Sequence, residues 1–216
     1  MLQHAPMRFE GTYPALVTPF RDGKVDETAL RELVERQIEG GVAGLVPCGT
    51  TGESVTLEGA ETAQVLRAVI AQARGRVPVI AGAGSVSTQE TVELCQLARE
   101  VGADAVLLVC PYYNKPTQAG LVAHFRHVLG EVSMPAVVYN IPGRTGVDLS
   151  VESLEALADV RDIVAIKEST GNVLRSQDIL ARLGDRYDIL SGDDGLTLGI
   201  MAVGGRGVIS VTANAF

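Results

Sequence analysis

Residues 104–142 read DAVLLVCPYYNKPTQAGLVAHFRHVLGEVSMPAVVYNIP, and their pattern decides the fold. Asp104 opens an apolar run that stops at Pro111, and Pro135 opens a second that stops at Pro142. Short runs apolar on both faces and bounded by proline are buried strands of a parallel sheet. Between them, residues 117–129 repeat apolar positions at helical spacing. Parallel strands need a crossover of about a dozen residues or more, and this helix supplies it.

The β-α unit recurs in both directions. Strands are predicted at TYPALVTPF from Thr12, GLVPCG from Gly44, PVIAGAG from Pro78, IVAIKE from Ile163, YDILSG from Tyr187 and GVISVTA from Gly207. With the two quoted runs they make eight. Asp26 precedes the helical pattern ETALRELVERQIEGG, which Gly40 and Gly41 stop. Ser87 and Glu90 form an S-x-x-E capping box before TVELCQLAREVG, and Gly102 supplies a left-handed cap. Residues 57–74, 151–158, 172–183 and 194–203 complete the helices. A closed barrel and an open doubly wound sheet both fit alternating strands and helices. Eight repeated units, with no G-x-G-x-x-G after the first strand, favour the α/β class with a (β/α)8 TIM barrel. Residues 1–216 read as a single barrel domain that stops after strand eight, with the last barrel helix missing. That leaves apolar surface of the first and last strands uncovered.

A net charge of −8, from 18 basic and 26 acidic residues, argues against binding to nucleic acids or anionic membranes, since both need clustered Lys and Arg. The N-terminal MLQHAPMRFEG lacks the apolar core of a signal peptide, and no run of about 18 apolar residues occurs, so a soluble cytoplasmic protein is expected. Cys48, Cys95 and Cys110 form no CxxC pair and are odd in number, so they read as small buried residues.

In such a barrel the chemistry sits at the C-terminal strand ends. That ring holds GTTGES from Gly49, Tyr112 and Tyr113, Tyr139 and the loop IPGRTG with Arg144, Lys167, and Ser191-Gly192-Asp193-Asp194. An amine at the mouth of an apolar barrel loses hydration, which lowers its pKa and makes it a nucleophile for a ketone. The residues alone leave a second reading open, in which Lys167 snorkels to solvent or pairs with Glu168. GTTGES presents two hydroxyls and backbone N–H groups suited to a carboxylate near a helix start, and equally reads as a capped turn. Three of the five tyrosines fall on this face, where a phenol could relay protons or simply pack. Arg144 reads as a carboxylate clamp or a solvated loop residue.

Taken in order, PALVTPF, GTTGES, PYYNKPTQ, YNIPGRTG, IKESTGN, LSGDD and GVISVTAN resemble the dihydrodipicolinate synthase (4-hydroxy-tetrahydrodipicolinate synthase) family of pyruvate-dependent class I aldolases, over nearly the whole chain. The resemblance implies a lyase of diaminopimelate and lysine biosynthesis that joins pyruvate to aspartate 4-semialdehyde and needs no metal or organic cofactor. It implies Lys167 as the Schiff-base lysine and Tyr139, Thr50 and Tyr113 as a proton relay, Tyr113 coming from a neighbouring subunit. Thr51 is implied to hold the pyruvate carboxylate and Arg144 that of the semialdehyde, while Gly192 and Ile209 turn backbone carbonyls to the site. The family is usually a homotetramer, a dimer of dimers, and continues past VTAN into a small helical domain. Altered assembly is therefore expected here. The alternatives are a 2-keto-3-deoxy acid or N-acetylneuraminate-type aldolase, against which Arg144 argues, and an inactive fragment acting as a subunit or interaction partner. Gly59, Thr62 and Val86 replace two histidines and an asparagine of the family's lysine pocket, where Ser54, Glu90 and Tyr112 match, so weak or absent inhibition by lysine is expected.

Overall fold

The computed structural model describes residues 8–216; residues 1–7, most of the stretch read for a signal peptide, lie outside the described residues. The chain runs through β1 (Gly11–Pro14), β2 (Phe20–Arg21), β3 (Lys24–Val25), α1 (Glu27–Glu39), α2 (Gly59–Ala73), β4 (Ile80–Gly82), α3 (Thr88–Val101), β5 (Ala105–Val109) and α4 (Gln118–Glu131). It continues through β6 (Ala136–Asn140), α5 (Pro142–Thr145), α6 (Val151–Ala156), β7 (Ile163–Glu168), α7 (Val173–Leu183), β8 (Asp188–Ser191), α8 (Thr197–Ala202) and β9 (Gly207–Ser210). Seven strands form one parallel sheet in the order β1-β9-β8-β7-β6-β5-β4, while β2 and β3 pair as a small antiparallel ribbon.

The strand expected from Gly44 survives only as two isolated bridges, Ala15 with Val46 and Leu45 with Val79. They nevertheless join β1 to β4. Leu16 donates to the Val46 carbonyl at 2.9 Å, and Ile80 to that of Leu45 at 2.8 Å, so residues 44–46 close the ring. Pro47 has no N–H to extend a ladder, and Cys48 turns into the left-handed region at φ 55°. The pairing therefore stops before it becomes a regular strand.

Alternation sorts the strand residues into two cores. Tyr13, Val46, Ile80, Leu107, Val137, Tyr139, Ala165, Leu190 and Ile209 fill the barrel, while Val106, Leu108, Val138, Ile166 and Ile189 face the helices. At the N-terminal end the buried Asp188 carboxylate accepts from Phe9 N and Arg8 Nη1, both at 3.0 Å, and forms an ion pair with Arg206 Nε at 2.6 Å, closing the floor.

Helix ends follow local chemistry. Asp26 caps α1 by accepting from Ala29 N at 3.0 Å, and Gly102 ends α3 at φ 89°. Only half of the expected box at Ser87 forms. Its hydroxyl accepts from Glu90 N, but the Glu90 carboxylate accepts from the Ser85 hydroxyl instead. A reciprocal box instead opens α2, between Glu58 and Glu61.

The surface expected to be bare is largely covered. Of the outward positions of β1 and β9, Val208 and Ser210 are buried, as is Pro14, and Thr12 is exposed. A 3-10 turn, Thr212–Asn214, folds back against β1 and α1, with Asn214 Nδ2 donating to Ala15 O at 2.8 Å and Gln37 Nε2 to Ala213 O at 2.6 Å. Exposed apolar side chains remain beside it: Val17 follows β1, Val211 and Phe216 follow β9, and Leu198 and Met201 lie on α8.

Candidate active site

Lys167 enters the barrel because β7 carries an irregularity. Its register against β6 shifts between the pairs Ala136–Ile163 and Val137–Ala165. Ile163 packs toward the helices, whereas Val164 and Ala165 both belong to the barrel core. From Ala165 onward alternation resumes, and Lys167 points inward. A bulge that re-aims one side chain is a recurrent device beside active sites. Lys167 also pairs in register with Tyr139, whose ring face lies 3.9 Å from Nζ.

Only 5% of Lys167 is exposed. Burial pushes its amine down to about 7, with Asp194 opposing the shift and Arg144 adding to it. A substantial fraction is therefore neutral at physiological pH. Glu168 points the opposite way and accepts from Arg175 Nε at 3.0 Å, which removes the reading in which it pairs with Lys167.

The Tyr139 phenol is raised, first by burial, while Ser169, Arg144 and Thr50 act to lower it. Burial likewise works to raise Asp194, but donation from the Ser210 hydroxyl and from Thr212 N and Val211 N leaves it ionised more readily than usual. It is the countercharge facing the amine.

Gly192 matters through its missing side chain. A Cβ there would lie 1.9 Å from Ser169 Oγ and 2.8 Å from Lys167 Cε. Only glycine allows the chain to run so close to both. Its N–H donates to Glu168 O at 2.9 Å, tying the end of β8 to β7. Ile209 is fully buried in the same interior cluster as Tyr139, in register with Tyr13.

GTTGES forms a turn closed by the N–H groups of Gly52, Glu53 and Ser54 on the carbonyls of Gly49 and Thr50. The N–H groups of Thr50 and Thr51 stand outside that set. Thr18 Oγ1 donates to Gly52 O at 2.7 Å and ties the loop to the segment after β1. The expected helix start is displaced, since one 3-10 turn, Ser54–Thr56, intervenes before α2.

Arg144 lies exposed on the single turn α5, close enough to influence both Lys167 and Tyr139. Tyr113 is not brought to this cluster within one chain: it is 88% exposed, at φ 68°. Its N–H donates to Thr145 O at 3.3 Å, so its loop leans on that of Arg144. Gly59, Thr62, Val86, Ser54, Glu90 and Tyr112 line one cavity of about 290 Å3, apart from Lys167. The three cysteines are buried, and burial pushes each thiol up to about 12.

Sequence reasoning missed Ser169 and Arg175. Ser169 lies two positions after Lys167, the spacing that shares a strand face, although β7 stops at Glu168. Arg175 carried no comparable signal.

Residues 8–216 match the model of the dihydrodipicolinate synthetase family. The chain is 56% identical over 206 residues to the 4-hydroxy-tetrahydrodipicolinate synthase of Citrifermentans bemidjiense, covering 95% of this chain and 71% of the relative. It superposes on the dihydrodipicolinate synthase of Aquifex aeolicus with a TM-score of 0.93 at 50% identity, covering 95% of this chain and 71% of that one. The 4-hydroxy-tetrahydrodipicolinate synthase of Methylacidiphilum fumariolicum gives a TM-score of 0.95 at 43% identity, covering 97% and 70%. Together with the barrel and its buried lysine, these similarities show that the chain belongs to the dihydrodipicolinate synthetase family.

Proposed function

We propose that this chain condenses pyruvate with aspartate 4-semialdehyde to give 4-hydroxy-tetrahydrodipicolinate, through an imine on Lys167. One observation carries the reading: a buried lysine with a pKa of about 7 lies against the face of Tyr139 at the mouth of the barrel. The neutral amine attacks the ketone carbon of pyruvate. Water leaves, and the resulting iminium acidifies the adjacent methyl group to give an enamine. That carbon attacks the aldehyde, and the amine of the second substrate then displaces Lys167 as the product cyclises.

Tyr139 is the proton carrier for these steps, with Thr50 beside it. Thr51 and neighbouring N–H groups receive the pyruvate carboxylate, and Arg144 at the rim receives that of the semialdehyde. Gly192 keeps Lys167 free to swing, and Ile209 completes the wall with its backbone. Tyr113, turned outward, acts across a subunit interface in a homo-oligomer. The barrel is one domain, and its working compartment is the cytoplasm. Among the described residues no helix is long and apolar enough to cross a membrane.

Incubation with pyruvate and sodium borohydride is expected to fix a stable adduct on Lys167, located by peptide mass mapping. An adduct on another lysine, or none, overturns the reading. Gly192→Ala is expected to fold yet lose roughly 10–100-fold in kcat, since displacing a reacting group by about 1 Å costs on the order of 100-fold. Steady-state kinetics checks this.

A further inference from the structure

Ser169 ends the IVAIKES stretch with a hydroxyl that the fold does not use. Its Oγ is buried and has no hydrogen-bond partner, although its N–H donates to Asn140 O at 2.9 Å. Buried hydroxyls are nearly always paired, so an orphan at a reaction centre marks the place of a missing partner. Three other buried polar atoms among the described residues share this condition. His124 Nε2 and Ser176 Oγ belong to α4 and α7 of the outer layer, and Thr170 follows on the side where Glu168 accepts from its N–H. Ser169 alone is seen against the nucleophile: its Oγ and Lys167 Cε both crowd the point where Gly192 would carry a Cβ. It also lies near enough to the Tyr139 phenol to oppose the rise that burial causes there.

We propose that Ser169 is a further catalytic residue, whose hydroxyl donates a hydrogen bond to the oxygen on C2 of pyruvate as Lys167 attacks. This rests on the pyruvate reading above. In that step the Nζ lone pair forms the C–N bond, and the carbonyl π pair moves onto oxygen. The oxygen collects one proton from the Tyr139 phenol and one from the attacking nitrogen, then leaves as water with the C–O pair. The remaining nitrogen lone pair closes the C=N bond, giving a cationic iminium beside a phenolate that is reprotonated later. Ser169 gains and loses no proton. It steadies the oxygen while negative charge accumulates there, and its orphan state ends when pyruvate arrives.

The test is the rate at which the Lys167–pyruvate adduct accumulates under borohydride trapping, for the wild-type chain and for Ser169→Ala, Ser169→Cys and Ser169→Thr. Ser169→Ala and Ser169→Cys are expected to form the adduct about tenfold more slowly at saturating pyruvate, the size of one hydrogen bond. Ser169→Thr, which keeps the hydroxyl, is expected to restore most of the rate. Melting temperatures for Ser169→Ala are expected to be no lower than wild type, because the deleted group had no partner to lose. A Ser169→Ala or Ser169→Cys rate equal to wild type overturns the proposal and leaves the pyruvate reading intact. So does a loss that Ser169→Thr shares and that tracks falling stability. A wild-type chain that forms no adduct on Lys167 overturns both.

Discussion

Replacing Lys167 by methionine is expected to abolish turnover and at the same time to raise the melting temperature by roughly 5–10 °C. Loss of the nucleophile removes the imine path altogether, so the fall in kcat is expected to exceed about 10⁴-fold. The gain in stability has a separate origin. The folded chain holds the amine of Lys167 at a pKa of about 7 against an ordinary 10.5, chiefly by burial. Between those values the unfolded chain keeps a proton that the folded chain has released, so stability rises with pH across the window and is lowest at its acid end. Methionine fills similar space without a charge to desolvate: on a scale of about 1.4 kcal/mol per pKa unit the depressed amine costs about 4–5 kcal/mol near neutrality, and after about 1.5 kcal/mol for the imperfect fit of the new side chain about 3 kcal/mol is recovered. Thermal melts of both chains from about pH 6 to pH 10.5 check this: the difference is expected to be largest at the acid end and to fade toward the alkaline end. An equal difference at every pH would show that packing, not the buried amine, sets it. The same pKa governs activity, so kcat/KM for pyruvate is expected to fall about tenfold per pH unit below 7.

The sequence pattern made the alternation of strand and helix legible because prolines and apolar runs are local signals. It did not make the aim of Lys167 legible. Strict alternation from Ile163, which packs outward, would turn Lys167 toward the helices, and only the extra inward residue at Val164–Ala165 reverses it. A bulge depends on what the neighbouring strand offers, and nothing in IVAIKE announces one. The thin pairing at Leu45–Val46 escaped for the converse reason, since its apolar run is strand-like while Pro47 and the turn at Cys48 cut the ladder short. Ser87 was readable as a cap, but the destination of Glu90 was set by Ser85, a loop residue outside the motif. The ring of polar strand ends was legible from topology alone. The roles within it were not, because Tyr139 and Lys167 meet only through cross-strand register.

Arg175→Ala is expected to cost about 3–5 kcal/mol of folding stability, the loss that follows when a buried ion pair keeps only one member. Glu168 is 2% exposed and sits on the face of β7 opposite to Lys167. Its carboxylate accepts from Arg175 Nε at 3.0 Å and from Thr170 N at 2.8 Å, and Asn140 Nδ2 approaches it at 3.5 Å. Arg175 Nη2 also donates to Leu149 O, while Asn140 accepts from Leu149 N and donates to Asp148. One guanidinium therefore binds the end of β7 to the loop after β6. Lysine cannot reproduce a fork that serves a carboxylate and a carbonyl at once, so Arg175→Lys is expected to recover only part of the loss. Removing the stranded charge should help more: adding Glu168→Gln to Arg175→Ala is expected to restore stability relative to Arg175→Ala alone, a coupling a double-mutant cycle of urea midpoints measures. Additive effects would mean that water, not Arg175, satisfies Glu168. Activity provides an independent readout, because Glu168 follows Lys167 and Asn140 follows Tyr139 in the chain. Loosening their common anchor moves nucleophile and phenol apart, so Arg175→Ala is expected to lower kcat even at temperatures where the chain remains folded. Lys167→Met shifts stability the other way. The strand thus carries adjacent ionisable groups with opposite consequences: losing Arg175 strands the buried Glu168 carboxylate, whereas losing Lys167 relieves the cost of burying its amine.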